Sequence, residues 1–249
     1  MISRNAIALS VLTLLLLAAC SGGNPPPSPA ESAAAAQAMI AAKADNALKL
    51  YEQMRASSSW DLAASLGDEL LQKYPGTAAA AQVRKTLTEV RAKAAEQLET
   101  RRLTRLWAYN AVPETGGTQY TAAIASKQPL KNTDAKKKTK RIRLVLRQHP
   151  KWGQSVYLLL DDATFDCRKG CATLPVHFDD APAQRMKATI PPTGEPALFI
   201  DDDRGFIAKM EKTRSVAIDV KIKDDGDETV AFEVGGFDAA KLPMKQRKQ

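Results

Sequence analysis

Three cysteines, two histidines and several clusters of aspartate are the groups in this 249-residue chain able to do covalent, metal or acid–base chemistry. Cys167 and Cys171 stand in "FDCRKGC", where three intervening residues with a glycine suit a tight disulfide loop in an oxidising compartment. A zinc ion on Cys167, Cys171, His177 and His149 is the rival use of those thiols, but the arrangement matches no known zinc spacing, and no metal is expected. Asp161, Asp162, Asp179, Asp180 and Asp201 to Asp203 offer the carboxylates that glycoside cleavage needs in pairs. Most fall where strands should end, and aspartates there usually make turns. The run "DDDRG" lacks the alternate acids and distal glutamate of a calcium loop. The chain holds no Gly-x-Ser-x-Gly motif, no phosphate loop and no dinucleotide glycine motif. The expectation is a non-catalytic protein without a cofactor, with a carboxylate-dependent hydrolase kept as an alternative.

Cys20 is a different kind of cysteine. Arg4 and the apolar run Ile7 to Leu17 precede it, the charged start and apolar middle of a secretory signal. That run is too short to span a bilayer, which takes about 20 residues. The tetrapeptide Leu17-Ala18-Ala19-Cys20 resembles the lipobox of bacterial lipoproteins, which implies cleavage before Cys20 and a diacylglyceryl group on its thiol. An ordinary cleaved signal followed by a free thiol is the alternative. Ser21, standing where an aspartate would retain such a protein at the inner membrane, implies outer-membrane sorting, with the folded part expected to face the periplasm. Two or three acyl chains anchor stably where one binds marginally. Residues 1–19 are then the signal, and residues 20–38, rich in proline and alanine, a tether with an extended polyproline start.

The chain carries a net charge of +8 and a sequence pI near 9.4. The excess lies late: eleven Lys or Arg against ten Asp or Glu over residues 20–117, then twenty-four against eighteen. Its densest part is "KKKTKRIRLVLR", Lys136 to Arg147, followed by Lys151 and Trp152. As a strand, this segment sets Arg141, Arg143, Val145 and Arg147 on one face and Ile142, Leu144 and Leu146 toward a core. Such a row of cations attracts lipid headgroups, lipopolysaccharide phosphates, cell-wall carboxylates or an acidic protein. The competing reading is an edge strand whose cations deter edge pairing. Nucleic acid is not an expected partner, since no aromatic platform accompanies the cations. Trp152 either anchors a partner or caps one end of the fold, while Trp107 and Tyr109 are read as sealing a junction.

Two kinds of element must position these groups. From Ala33 to Ala95 apolar residues recur at helical spacing, predicting helices over Glu31–Arg55, Trp60–Tyr74 and onward from a Thr77 cap. On the third, Val83, Leu87, Val90, Ala94 and Leu98 form one stripe, expected to meet Leu62, Leu66, Leu70 and Leu71. The segment "WDLAASLGDELLQKYPGTAAAAQV" resembles a tetratricopeptide unit, which implies a helical hairpin and a possible peptide-binding role. A plain helical spacer is the alternative. After Gly117 seven short apolar or alternating runs follow, "YTAAIAS", "RIRLVLR", "SVYLLL", "TLPVHF", "PALFI", "SVAIDVKI" and "TVAFEV", with Asp225-Gly226 as a hairpin turn and "DRGFIAKMEKT" as a short helix. The combination "FDCRKGCATLPVHFDD", "FIAKMEKTRSVAIDV" and "VAFEVGGF" resembles small periplasmic β-sandwich proteins. The predicted class is α+β: a helical hairpin region over residues 39–112 and an antiparallel β-sandwich over residues 118–249. The expected role is a lipid-anchored envelope protein that binds a protein or anionic partner through Arg141, Arg143, Arg147, Lys151 and Trp152, as a scaffold component or as an immunity protein against a toxin.

Overall fold

Ser28 ends the proline-rich stretch and starts the first helix, because its side chain accepts from the Glu31 N–H while the Glu31 carboxylate accepts from the Ser28 N–H. This reciprocal cap, with Pro29 at the first helical position, is a strong start signal. The computed structural model describes residues 28–130, 140–161, 163–167, 173–192, 195–223 and 226–243. Helix α1 spans Pro29–Ala56, α2 Trp60–Lys73 and α3 Ala78–Thr104, whose Thr77 hydroxyl caps the Ala80 N–H. The tether expected to reach residue 38 therefore gives way to helix ten residues earlier, since alanine is the best helix former and the cap is already in place.

The three helices close on a small core. Ala44 and Tyr51 of α1, Ala63 and Leu70 of α2, and Val83, Leu87 and Val90 of α3 are buried. Gly67 sits where all three meet: a β-carbon there would lie 2.7 Å from Leu87 Cδ1 and 3.0 Å from Tyr51 Cε2. The α3 stripe is used only as far as Val90, because α2 is half the length of α3; Leu98 beyond it is exposed, as is Leu62. Before Ala44, no residue of α1 is buried.

The rest is antiparallel sheet. A six-stranded sheet runs β1 (Trp107–Glu114), β2 (Gly117–Ala125), β3 (Ile142–His149), β4 (Gly153–Leu160), β8 (Ala197–Ile200) and β7 (Ala188–Thr189). A four-stranded sheet runs β10 (Gly226–Phe232), β9 (Val216–Ile222), β5 (Leu174–Phe178) and β6 (Gln184–Met186). Leu144, Leu146, Val156 and Leu158 of the first share one buried cluster with Val176, Ile218, Val220 and Phe232 of the second, so the sheets face each other as a sandwich. Helix α4 (Asp203–Met210), started by the Asp202 side chain accepting from the Gly205 N–H, adds Phe206, Ile207 and Met210 to that core.

Two boundaries differ from the sequence reading. The helical region ends at Thr104 and the sandwich begins at Trp107, not after residue 117: Trp107–Glu114 is a strand paired with β2. At Gly116-Gly117, where composition shifts, Thr115-Gly116 form the turn of that hairpin and Gly117 is the first paired residue of β2, with φ of 92° and 149° at the two positions, values that favour glycine. The β9–β10 hairpin forms as expected but closes between Ile222 and Gly226, so Gly226, at φ 87°, is the first paired residue rather than the centre of a two-residue turn.

Trp107 and Tyr109 tie β1 to the Val234–Asp238 segment of the same sandwich, and it is that segment, not the two rings, that meets the helical part. The Trp107 indole N–H donates to the Val234 carbonyl, its ring lies 5.0 Å from that of Phe237, and the Tyr109 hydroxyl accepts from the Asp238 N–H. On the helical side, Arg102 holds both Glu99 and Glu233 through pairs of hydrogen bonds. Backbone packs on backbone there, since a β-carbon on Gly236 would lie 2.2 Å from the Leu103 carbonyl carbon.

Candidate binding face

β3 alternates as its sequence requires. Ile142, Leu144 and Leu146 are fully buried in the sandwich core, while Arg143, Val145 and Arg147 turn to the outer face. The strand lies between β2 and β4, so the edge-strand reading of these cations is corrected: the flanking runs are apolar enough to pair on both sides.

The five residues expected to bind do not act as one row. Arg141 precedes the strand and its Nη1 donates to the carbonyls of Ser126 (2.6 Å) and Lys127 (3.0 Å), where it clamps the segment after β2. Arg143 Nη2 donates to both oxygens of Asp161, at 2.8 and 3.1 Å, an exposed pair that leaves little net charge to offer. Arg147 stands apart. Its Nε donates to Ser155 Oγ at 3.1 Å, and its guanidinium carbon lies 5.6 Å from the Trp152 ring centre, 5.4 Å from Tyr157 and 6.0 Å from Phe199. Both Nη nitrogens are without a partner among the described residues. Rings around a guanidinium hold it by cation–π attraction and strip water from its flanks.

Strand register builds this cluster. Arg147 pairs with Ser155, Val145 with Tyr157, and Tyr157 with Phe199, so the outer face reads cation, aliphatic and aromatic across three strands. Tyr157 and Phe199 stack at 4.8 Å. Burial pushes the Tyr157 phenol above its ordinary range, against a smaller opposing pull from Arg147, so it stays a neutral hydroxyl.

Trp152 is 63% exposed and does not cap the sandwich. It is nevertheless held. His149, itself buried, stacks on the indole at 3.9 Å, and His149 Nδ1 accepts from the N–H groups of Lys151 and Trp152. Gly153, at φ 77°, lets the chain return into β4. Lys151 is exposed beside the indole. The result is a large exposed ring on a pre-formed turn, next to a guanidinium whose Nη donors are unpaired among the described residues.

Tyr157, Phe199 and Ser155 escaped the sequence reading, and His149 was read only as a rival zinc ligand, not as the support of Trp152. Alternation in "SVYLLL" and "PALFI" places Ser155, Tyr157 and Phe199 on the outer face, but which strands lie side by side is not legible from either run.

The other chemistry-bearing groups are engaged elsewhere. Cys167 is half-buried; Cys171, like Cys20, lies outside the described residues. Cys167 borders a shallow depression of about 440 Å³ with Phe165, Ile190 and Lys223. Asp179 has φ 50° and its Oδ1 accepts from the N–H groups of Arg214 and Ser215 and from the Ser215 hydroxyl. Asp161 holds Arg143, Asp201 accepts from Thr189 and Asp202 caps α4. Asp162 lies outside the described residues. His149 and His177 belong to different sheets, and among the described residues no cluster of three metal-ligating side chains occurs.

No family model matches the chain, and no curated protein matches it. Among solved structures, invasion associated protein B from Bartonella henselae is similar over 55% of this chain and 89% of its own, at 12% identity and a TM-score of 0.35.

Proposed function

We propose that this protein is a non-catalytic binding protein of the cell envelope, anchored in the outer membrane by acyl chains on Cys20, that holds an acidic protein partner on the outer face of its six-stranded sheet. The observation that carries the binding reading is Arg147: a guanidinium fixed by Ser155, ringed by Trp152, Tyr157 and Phe199, with Nη donors that have no partner among the described residues. Buried or half-buried aromatics beside an arginine are the composition of interface hot spots. A carboxylate set against that fork gains a charge-assisted, two-pronged hydrogen bond. Arg143 and Arg141, already engaged, position the strand and contribute little to recognition. Cys167 with Cys171 is proposed as the disulfide that holds the loop between β4 and β5.

Affinity capture from detergent-solubilised envelope, with wild type beside Arg147→Glu and Trp152→Ala, tests this. Both variants should lose the specific partner, and capture by the wild type should weaken as salt rises. Unchanged recovery by Arg147→Glu would refute the assignment. Mass spectrometry of the mature N-terminus tests the anchor separately: an unmodified Cys20 thiol would remove it and leave the binding face standing.

The exposed Trp152 on a pre-formed turn also fits a role as an inhibitory plug, the immunity reading. A captured partner that is itself a toxin or hydrolase silenced by the complex would select it over a scaffold role.

A further inference from the structure

β1 is a free edge. It is the outermost strand of the six-stranded sheet, eight residues long, and its sequence "WAYNAVPE" contains no cation. Edge strands that must stay unpaired are usually short or carry lysine. The alternation of backbone groups can be traced across the sheet. Ser126 N–H donates to the Ile142 carbonyl, so Ile124, Ala122 and Tyr120 also turn their backbone groups to β3. The intervening β2 residues then face β1, and they pair with Ala108, Asn110, Val112 and Glu114. It follows that Trp107, Tyr109, Ala111 and Pro113 direct their backbone groups away from the sheet. Proline is tolerated at such a position because its missing N–H points outward. Among the described residues none of these outward groups has a backbone partner.

The geometry points to a second copy of this chain, pairing antiparallel along β1 to make one continuous sheet across two molecules. The edge is complementary to itself. At one end Arg105 and Leu106 are exposed, at the other Val112 and Glu114, and neither charge has an ion-pair partner among the described residues. In a two-fold pairing about Asn110, Tyr109 of each copy lies against Ala111 of the other, and Val112 lies against Ala108. Trp107 lies against Pro113, so the Glu114 end of each strand meets the other copy where Arg105 closes the last turn of α3, and an anion approaches a cation at both ends. A two-fold contact is self-complementary in this way by construction. An unrelated extended peptide would use the same backbone groups but would have no reason to match the charges at both ends.

Sedimentation of the full chain in mild detergent tests the pairing, with far-UV circular dichroism confirming that each variant folds. Wild type should dimerise. Ala111→Pro removes one outward donor per copy without touching the β2 pairing, and should weaken the dimer by about thirtyfold, the worth of two backbone hydrogen bonds. Arg105→Glu should weaken it through two acid–acid contacts, and adding Glu114→Arg should restore it, because the pair is reversed and not removed. Asn110→Cys should cross-link between copies on mild oxidation. A chain that stays monomeric, a dimer indifferent to Ala111→Pro and to both charge changes, or a different protein found along β1 would each overturn the inference. None of these residues belongs to the Arg147 face, so the two readings fail independently.

Discussion

Replacing Gly236 by alanine should part the helical region from the sandwich. The added β-carbon would lie 2.2 Å from the Leu103 carbonyl carbon, 2.3 Å from the Thr104 nitrogen and 2.5 Å from the Leu103 oxygen. Ordinary contact begins near 3.4 Å, so the end of α3 and the turn at Val234–Gly236 must separate by roughly 1 Å. All three obstacles are backbone atoms, so no side-chain rotation relieves them. Overpacking costs about 1–3 kcal/mol where side chains can adjust; here the upper end applies, with about 1 kcal/mol more for the Trp107–Val234 hydrogen bond that the shift would break. The expected loss is therefore about 3–4 kcal/mol. Urea unfolding, followed by tryptophan fluorescence and far-UV circular dichroism together, should show a lower midpoint and two transitions that no longer coincide. Gly235→Ala is the internal control, since its β-carbon would meet the Arg214 Cα at 3.3 Å and Leu103 Cδ1 at 3.5 Å, distances that shifts of a few tenths of an ångström accommodate. If Gly236→Ala unfolds within about 0.5 kcal/mol of wild type, or no differently from Gly235→Ala, the close backbone approach is wrong and with it the account of the junction.

Gly67→Ala sets a gain in helix propensity of about 1 kcal/mol against overpacking on Leu87 and Tyr51; crowding should win by about 1 kcal/mol in thermal melts of the helical signal, and Leu87→Val in the same chain should recover most of it. Asp179→Ala removes the acceptor of three hydrogen bonds and should cost about 2–3 kcal/mol, whereas Asp179→Asn, which keeps an acceptor oxygen and tolerates the left-handed backbone, should cost about half as much by urea titration. Arg102 holds the Glu233 carboxyl below its ordinary 4.5, so this group favours the folded state above that pH, and its contribution fades as pH falls through the still lower folded value. Stability measured between pH 6 and pH 3 should therefore drop less steeply for Glu233→Gln than for wild type; equal slopes would mean the ion pair contributes nothing to the junction.

Local signals carried most of the element list. The Thr77 cap and the hairpin between Ile222 and Gly226 act within four residues of where they stand and are found in place, whereas the equally local cap at Ser28 went unread. β1 was hidden because only Trp107 and Tyr109 of its inward positions are large, and because Arg105-Leu106, the short turn that separates it from α3, contains no glycine, proline or asparagine to mark a break. The binding face was half legible for a related reason. Period-two alternation put Arg143 and Arg147 outside and Ile142, Leu144 and Leu146 inside, as found. What decides the fate of each arginine lies across strands: Asp161 on one side of Arg143, and Tyr157 and Phe199 beside Arg147. Those neighbours are set by sheet order, and β8 reaches β4 only after some forty intervening residues.

Before Ala44 every residue of the first helix is exposed, and these leading fifteen residues form a rod about 22 Å long. With lipid at the N-terminus, such a rod would set the height at which the sandwich patrols the membrane surface, much as a mast sets the height of a lamp. Targets close to the headgroups would pass beneath it, and lengthening the rod by whole turns would move that working plane outward in steps of about 5.4 Å.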